Sequence, residues 1–381
     1  MKPNPSFEQH PLDRLQALAN EHYIHLLGVS TLPDPLVKNR MNDFYASWIH
    51  RGWAGTMNYL KTHGPLKYSP EAILPGCKSV IVVGLPYYQK GDWGSGKTMD
   101  LKNMASGRIA RYAWGRDYHK TFRKKLLELG KEFFGNPSTT AHQREYRVFV
   151  DSGPLDERFF AHASGIGFTG RHTLTINHEL GSWFFLGIIL TTLDLPAMKP
   201  TNPYESSISP RGTCPKSCTR CIQVCPTGAL QGPHALDASK CISYLTIEHR
   251  GAIPLELRPL MGDWIFGCDL CQEVCPLNLR VQETAIQDFL VLRAGPGQDL
   301  VELLALKTDQ QFLKRFAGSP VMRVKREGII RNACIAAGNK GGSECIGPLL
   351  EVIKRENPLI QDHARWALDR IHEGMEVRNG L

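Results

Sequence analysis

CPKSCTRCIQVCP, residues 214–226, and FGCDLCQEVCPLN, residues 266–278, decide how this chain must fold. They spell Cys214-x3-Cys218-x2-Cys221-x3-Cys225-Pro226 and Cys268-x2-Cys271-x3-Cys275-Pro276, with Cys241 between them. A [4Fe–4S] cluster needs four thiolates. A tight loop of three cysteines wraps one cluster, while the cysteine before proline reaches the other cluster in two-cluster ferredoxins. Applied to this spacing, Cys214, Cys218, Cys221 and Cys275 serve one cluster, and Cys225, Cys241, Cys268 and Cys271 serve the second. Every cysteine of the block is then used once. Two departures are visible: the first gap is Pro215-Lys216-Ser217 where two residues are usual, and Cys241 fills in across a 26-residue gap. The competing reading is a zinc ribbon built on Cys218-x2-Cys221 and Cys268-x2-Cys271. It leaves four cysteines and both Cys-Pro pairs unexplained.

Eight of the eleven cysteines fall in this block, which in a reducing compartment calls for metal rather than disulfides. Cys77, Cys334 and Cys345 read as small buried hydrophobes. The N-terminal MKPNPSFEQHPLDRL has no apolar signal-peptide core. The best membrane candidate, Trp183 to Leu195, is 13 residues long and carries Asp194, short of the ~18 a span needs. The expectation is a soluble, cytoplasmic protein without membrane association. Its 381 residues are 42% hydrophobic and 22% charged, a globular composition too long for one ordinary domain. The formal charge is +8, and two stretches concentrate it. Residues 102–131 hold nine Lys or Arg against Asp117 and Glu128, and residues 311–340 hold seven against Glu327. Each is either a solvated helix face or part of a surface for a polyanion such as nucleic acid.

The periodicity indicates an α+β protein. SVIVVGL (79–85), RVFV (147–150), HTLTIN (172–177) and WFFLGIIL (183–190) read as strands. His119 to Phe134 reads as a helix with Phe122, Leu126, Leu129 and Phe133 on one face and Asp117 as cap. A second, shorter helix spans Asp156 to Ser164. Pro196, Pro200, Pro203 and Pro210 mark a linker, and RAGPGQ (293–298) marks a second break. The chain divides at these into 1–200, 201–292 and 293–381. The last part is helical: Lys325 to Ala337 stops at Gly338-Asn339, Ser343 caps a second helix and Pro358 opens a third, stacked in HEAT-like hairpins. In the first of these helices Lys325, Arg326 and Arg331 are expected outward, available to phosphates.

Several stretches together resemble the epoxyqueuosine reductase family: RYAWGRDYHK (111–120), VDSGPLDERFFAHASGIGFTGRHTL (150–174), GSWFFLG (181–187), CISYLTIEHRGAIP (241–254), FGCDLCQEVCPLN (266–278) and REGIIRNACIAAGN (326–339). The resemblance implies a cobalamin-binding N-terminal domain of α/β type, a two-cluster ferredoxin-like domain and a HEAT-like helical tail. It implies reduction of epoxyqueuosine to queuosine in the anticodon loop of tRNA. The electrons would come from a reductant protein, not identified by the sequence, through two [4Fe–4S] clusters to cobalamin. By position in matching motifs it implies Lys67, Ala110, Arg111, Asp151, Arg158, His172, Thr175, Ser243 and Asp269 as the cobalamin's surroundings. Asp151 is the proton donor, since loss of the epoxide oxygen as water requires protonation. Read without the resemblance, Asp151 equally suits a turn or helix cap. The Asp-x-His-x-x-Gly cobalt-ligand motif is missing; Asp117-Tyr118-His119 approaches it, but Phe122 replaces the glycine. Two other readings share parts of this pattern. One is a corrinoid reductive dehalogenase, which usually carries an export signal. The other is a ferredoxin-like electron-transfer protein, for which some 200 residues ahead of the clusters are superfluous.

Overall fold

A computed structural model describes residues 11–24, 26–91, 105–135, 146–198 and 214–379. One apolar run organises its first half. Ser79–Pro86 is buried at every position, and a strand without polar alternation must be covered on both faces. It lies inside a four-stranded antiparallel sheet in the order Leu26–Thr31, Ser79–Pro86, Phe184–Thr191, Tyr146–Phe149. Ile81, Val83 and Leu85 meet Phe122, Leu126 and Leu129 of the helix Tyr118–Phe134 on one face. Val80 and Val82 meet Tyr68, Phe159 and Phe160 on the other, the last two from the helix Glu157–Ala163. Gly187 lets the long helix lie close, since a Cβ there would sit 2.8 Å from Leu126. Asp117 and Asp156 cap these two helices by accepting from the His119 and Phe159 N–H groups. The expected strand over 172–177 shrinks to Thr175–Ile176, paired with Phe168–Thr169. The chain turns at Thr173, whose φ is +70°, so no longer strand can form.

A second sheet ties distant parts of the sequence together. Ser106–Ile109 is its middle strand, parallel to Trp264–Phe266 and antiparallel to Gly297–Asp299. Beneath it one apolar cluster joins Ile109 and Trp114, Ile265 and Phe266, and Leu300, Phe316, Ile330 and Ala364. Residues from all three sequence segments thus share a core. From residue 199 to 213 the Pro-rich linker lies outside the described residues, as does Lys102 of the first basic stretch.

The tail departs from expectation at three points. The helix expected to stop at Gly338 runs over Lys325–Lys340. Gly338 is retained inside it because Ala367 backbone lies 2.9 Å from where a Cβ would stand. Ser343 makes no capping bond; it opens a short 3₁₀ turn, Ser343–Cys345, that leads into Ile346–Arg355. The third correction concerns the charges. Arg331 is 1% exposed and donates to the carbonyls of Leu245 (2.7 Å), His249 (2.7 Å) and Gly251 (2.9 Å). Arg326 forms a fork on the Glu356 carboxylate at 2.6 and 2.9 Å. Of the three residues expected to face outward, only Lys325 does so. The helix is the centre of the tail's packing, buried continuously from Ile329 to Ala337, so it has no solvated face at Arg331.

Candidate redox and acid–base site

The cysteines sort into two groups. Cys214, Cys218, Cys221 and Cys275 line one cavity, with Arg171 and His172 on its wall. Cys241, Cys268 and Cys271 form the other with Cys225, close enough that charge on any one disfavours charge on its neighbours. Cys271 also feels Cys221, so the two groups adjoin. The tight turns before Pro226 and Pro276 produce this exchange: each Cys-Pro cysteine leaves its own helix, Arg220–Val224 or Leu270–Glu273, in extended backbone. Burial pushes up the thiols of Cys241, Cys268 and Cys271, favouring protonation until iron displaces the proton. Among the described residues no three His, Cys, Asp or Glu side chains surround a single metal-ion position. Grouped thiols of this number suit clusters.

Asp151 follows the strand Tyr146–Phe149 and takes φ +55°, a left-handed conformation that Asp tolerates better than most residues. Its side chain is 61% exposed, and its Oδ2 is held from behind by two donors. The Tyr118 hydroxyl donates to it at 2.5 Å, and His119 Nε2 lies 3.3 Å away. The other imidazole nitrogen, Nδ1, lies 2.8 Å from Asp117 Oδ1. Both ring nitrogens are therefore engaged, and neither is open to a metal. Tyr118 is itself clamped, stacking on Phe185 with ring centres 4.0 Å apart. Burial works against the charges of Asp151 and His119, but their mutual pairing prevails. It holds the Asp151 carboxyl below its usual range, with help from Tyr118 and Arg323, and raises His119 to about 9.

The remaining sequence-derived positions form two neighbourhoods. Near Asp151, the Lys67 carbonyl accepts from the Asp156 N–H, and Arg158 donates to the Thr173 carbonyl at 3.1 Å. Farther along, Asp269 is buried and accepts from the Arg111 N–H at 2.6 Å, beside buried Ala110. The Arg111 guanidinium lies over the rings of Trp114, Tyr88 and Trp183. Tyr112 senses charge at both Asp151 and Asp269 and so stands between the neighbourhoods. Ser243 lies in the helix Ile242–Ile247, directly after Cys241. His172 Nε2 and Thr175 Oγ1 are buried without hydrogen-bond partners, as is Oε1 of Glu157. Orphaned polar atoms of this kind call for a partner, a water or a bound group. The donor set of His172, Thr175, Arg111 and Lys67 fits a large, amide-rich molecule.

The sequence reading gives no acid–base part to four residues: Tyr118, His119, Glu157 and Arg323. Glu157 is pushed up to about 8, chiefly by burial and by the charge of Asp151. Arg323 pairs with Glu248 and reaches the Asp151 loop from the tail. Asp117-Tyr118-His119 at a helix start was a usable signal, because a cap and a residue two positions later share the first turn. No local pattern announces Arg323.

Fold and site together define an iron–sulfur oxidoreductase of mixed α/β architecture with an acid–base loop beside its cluster segment. The model of a 4Fe-4S double cluster binding domain matches residues 214–278, and that of epoxyqueuosine reductase QueG, DUF1730, matches residues 67–152. Epoxyqueuosine reductase of Escherichia coli strain K12 is 40% identical over 87% of this chain and 82% of its own. That of Xanthomonas campestris is 41% identical over 84% of this chain and 86% of its own. The chain belongs to the epoxyqueuosine reductase family. A solved epoxyqueuosine reductase with a tRNA-Tyr epoxyqueuosine-modified stem loop superposes with a TM-score of 0.80 at 26% identity, covering 94% of this chain and 90% of that one. A Bacillus subtilis structure with its catalytic aspartate loop swung out of the active site gives 0.79 at 25% identity, over 95% and 91% of the two chains. No helix among the described residues is long and apolar enough to cross a membrane.

Proposed function

We propose that this chain reduces epoxyqueuosine to queuosine in the anticodon loop of tRNA, in the cytoplasm, with two [4Fe–4S] clusters and cobalamin as cofactors. In this reading residues 1–200 hold cobalamin and substrate, 201–292 form the ferredoxin-like cluster segment and 293–381 form the HEAT-like tail. Cys214, Cys218, Cys221 and Cys275 ligate one cluster; Cys225, Cys241, Cys268 and Cys271 ligate the other. Lys67, Ala110, Arg111, Arg158, His172, Thr175, Ser243 and Asp269 surround the cobalamin. When bound, the clusters and the corrin cobalt would supply one-electron transfer and a centre reactive toward carbon. An external reductant protein loads the clusters.

The protein's own contribution is to the oxygen. An epoxide oxygen leaves poorly as an alkoxide and readily once protonated. Asp151 is exposed on the substrate side and hydrogen-bonded on the other, so its carboxyl is aimed rather than free to wander. The exchange of Cys-Pro cysteines between two adjoining thiol groups is the observation that carries the reading, because it builds a two-station electron path beside that loop.

The test is conversion. Anaerobically reconstituted protein, cobalamin and a chemical reductant are incubated with epoxyqueuosine-containing tRNA, and nucleosides are measured by mass spectrometry. Appearance of queuosine supports the function. Unchanged epoxyqueuosine, with about eight irons per chain present, would overturn it.

A further inference from the structure

Asp151 meets the epoxide oxygen in the function proposed above, yet at rest its Oδ2 accepts a hydrogen bond and carries no proton of its own. The Tyr118 hydroxyl donates to its Oδ2, and His119 Nε2 makes an ion-pair contact with the same oxygen. The chain of contacts runs Asp117 Oδ1 to His119 Nδ1 at 2.8 Å, then His119 Nε2 to Asp151 Oδ2 at 3.3 Å. Exposure grades along it: the side chain of Asp117 is 24% exposed, His119 31% and Asp151 61%. Only the last is mostly open to solvent. Tyr118 stacks on both His119 and Phe185 at 4.0 Å and fixes the plane of the imidazole.

We infer that His119 holds the proton for this reaction and that Asp151 hands it on, an assignment resting on the function proposed above. His119 is then a positioning residue and proton store, and Asp151 alone touches the substrate. The reduction takes up two electrons and two protons and releases the epoxide oxygen as water. The electrons come from the reductant protein. The step assigned to these residues moves one proton. As the C–O bond breaks, its electron pair stays on oxygen. The Nε2 proton of His119 passes to the Asp151 carboxylate, and the oxygen takes that proton from Asp151, which returns to its ionised form. The neutral imidazole recovers its proton from solvent through its exposed edge.

The charge states agree with this direction. Burial disfavours the imidazolium, but Asp117 and Asp151 on either side keep it protonated up to about pH 9, while Asp151 stays ionised well below neutrality. The other groups that sense Asp151 are Tyr118, Tyr112, Tyr59, Glu157 and Arg323. Glu157, raised to about 8, titrates in the same range, so variants must be compared with each other rather than one profile interpreted alone.

The experiment is a pH profile of single-turnover conversion by the reduced holoenzyme on epoxyqueuosine-containing tRNA, from pH 5.5 to 9.5. The parent should be nearly level and decline only toward about pH 9. His119→Gln should be slower and should lose about tenfold per pH unit across the neutral range, because Asp151 must then carry its own proton. A His119→Gln profile parallel to the parent's, whatever its rate, would overturn the inference. Should that variant lose its iron, Asp117→Asn decides, since Asn still caps the helix. Its declining limb should move to lower pH, and an unmoved limb would overturn the inference equally. Failure of the parent itself to form queuosine would count against the proposed function. A working parent with unaltered variant profiles would count against His119 alone.

Discussion

Two regions of this molecule hold ionisable side chains in fixed contacts, and they do so with opposite kinds of partner. Around Asp151 the partners are themselves ionisable: Asp117, His119, Tyr118 and the more distant Arg323 and Glu157. Between the cluster segment and the tail the partners are peptide groups. Arg331 donates to three carbonyls, and Asn332 Nδ2 donates to those of Thr246 and Ile265 at 2.8 and 2.9 Å. His363, fully buried, accepts the Ile253 N–H at Nε2 (3.0 Å), and its Nδ1 donates to the Leu359 carbonyl (2.7 Å). The two histidines make the contrast plain. His119 is raised to about 9 by its carboxylates, and His363 is lowered to about 4, mainly by burial. A carboxylate can take a proton from its neighbour and a peptide cannot. The first region can therefore do chemistry, and the second can only hold shape.

The largest effect expected on that contrast is in the seam. Arg331→Met removes the guanidinium donors from the buried Leu245 carbonyl and the half-buried His249 and Gly251 carbonyls, and should cost about 3 kcal/mol of stability. Urea unfolding under anaerobic conditions measures it. The folded fraction should keep its turnover rate. A loss below ~1 kcal/mol would mean that the seam tolerates an orphaned peptide, and the distinction between the regions would blur.

Asp151→Ala makes the opposite claim. It should slow turnover about 100-fold, some 2.7 kcal/mol on the barrier, while iron content and the melting temperature stay near the parent's. The reason is exposure: a side chain 61% open to solvent contributes little to the fold. Near-parental turnover would reduce Asp151 to a turn residue.

A smaller effect separates the two histidines by pH. His363 titrates near 4 when folded and near 6.5 when unfolded, so between those values the unfolded chain binds more protons. Stability should fall as pH drops through this window, by about 1 kcal/mol from pH 6.5 to 5.5. His363→Gln should remove that part of the slope. For His119 the sign reverses: its contribution is complete below about 6.5 and is lost as pH rises through about 9. Equal acid slopes in parent and His363→Gln would contradict the neutral assignment.

Much of this was legible because the signals were local. The Cys-x2-Cys-x3-Cys-Pro spacing specifies a loop, a short helix and an extended exit within a few residues, and these appear around Cys268 and Cys275. The all-apolar run at 79–86 could only be a doubly covered strand. Asp117 declared its helix as a cap. What failed was the reading of charge. Arg331 has the composition of a solvated residue, but its burial is decided by Leu245, His249 and Gly251, about eighty positions away. The Asp151–His119 pair fails to announce itself for the same reason. Its members lie on a strand end and a helix start that only the sheet brings together.

The two basic stretches, of nine and seven cations, carry the smallest prediction. In the tail, Arg326 and Arg331 are spent inside the protein. On the helix Tyr118–Phe134, Lys120, Arg123 and Lys124 are exposed, with the buried Phe122, Leu126 and Leu129 on the other face. Among the described residues Lys124 pairs with Glu128 at 3.8 Å, an exposed pair of small energetic weight, and Lys120 acts on the carboxylate of Asp117. Free charges on an ordered surface are what phosphates require, and the affinity they give falls with salt. Replacing Lys120, Arg123 and Lys124 by Ala should therefore weaken tRNA binding only a few-fold near physiological salt. It should also flatten the salt dependence by up to about one logarithmic unit per lost phosphate contact. The helix should survive, because Ala is its best former and the apolar face is untouched. Filter binding at several salt concentrations gives the slope. The same measurement on Lys325→Ala tests the exposed remnant of the tail, where a smaller change is expected because a single charge is removed. If the triple variant kept the parent's slope, the helix would be a solvated face like any other, and tRNA would have to be held by charges elsewhere on the chain.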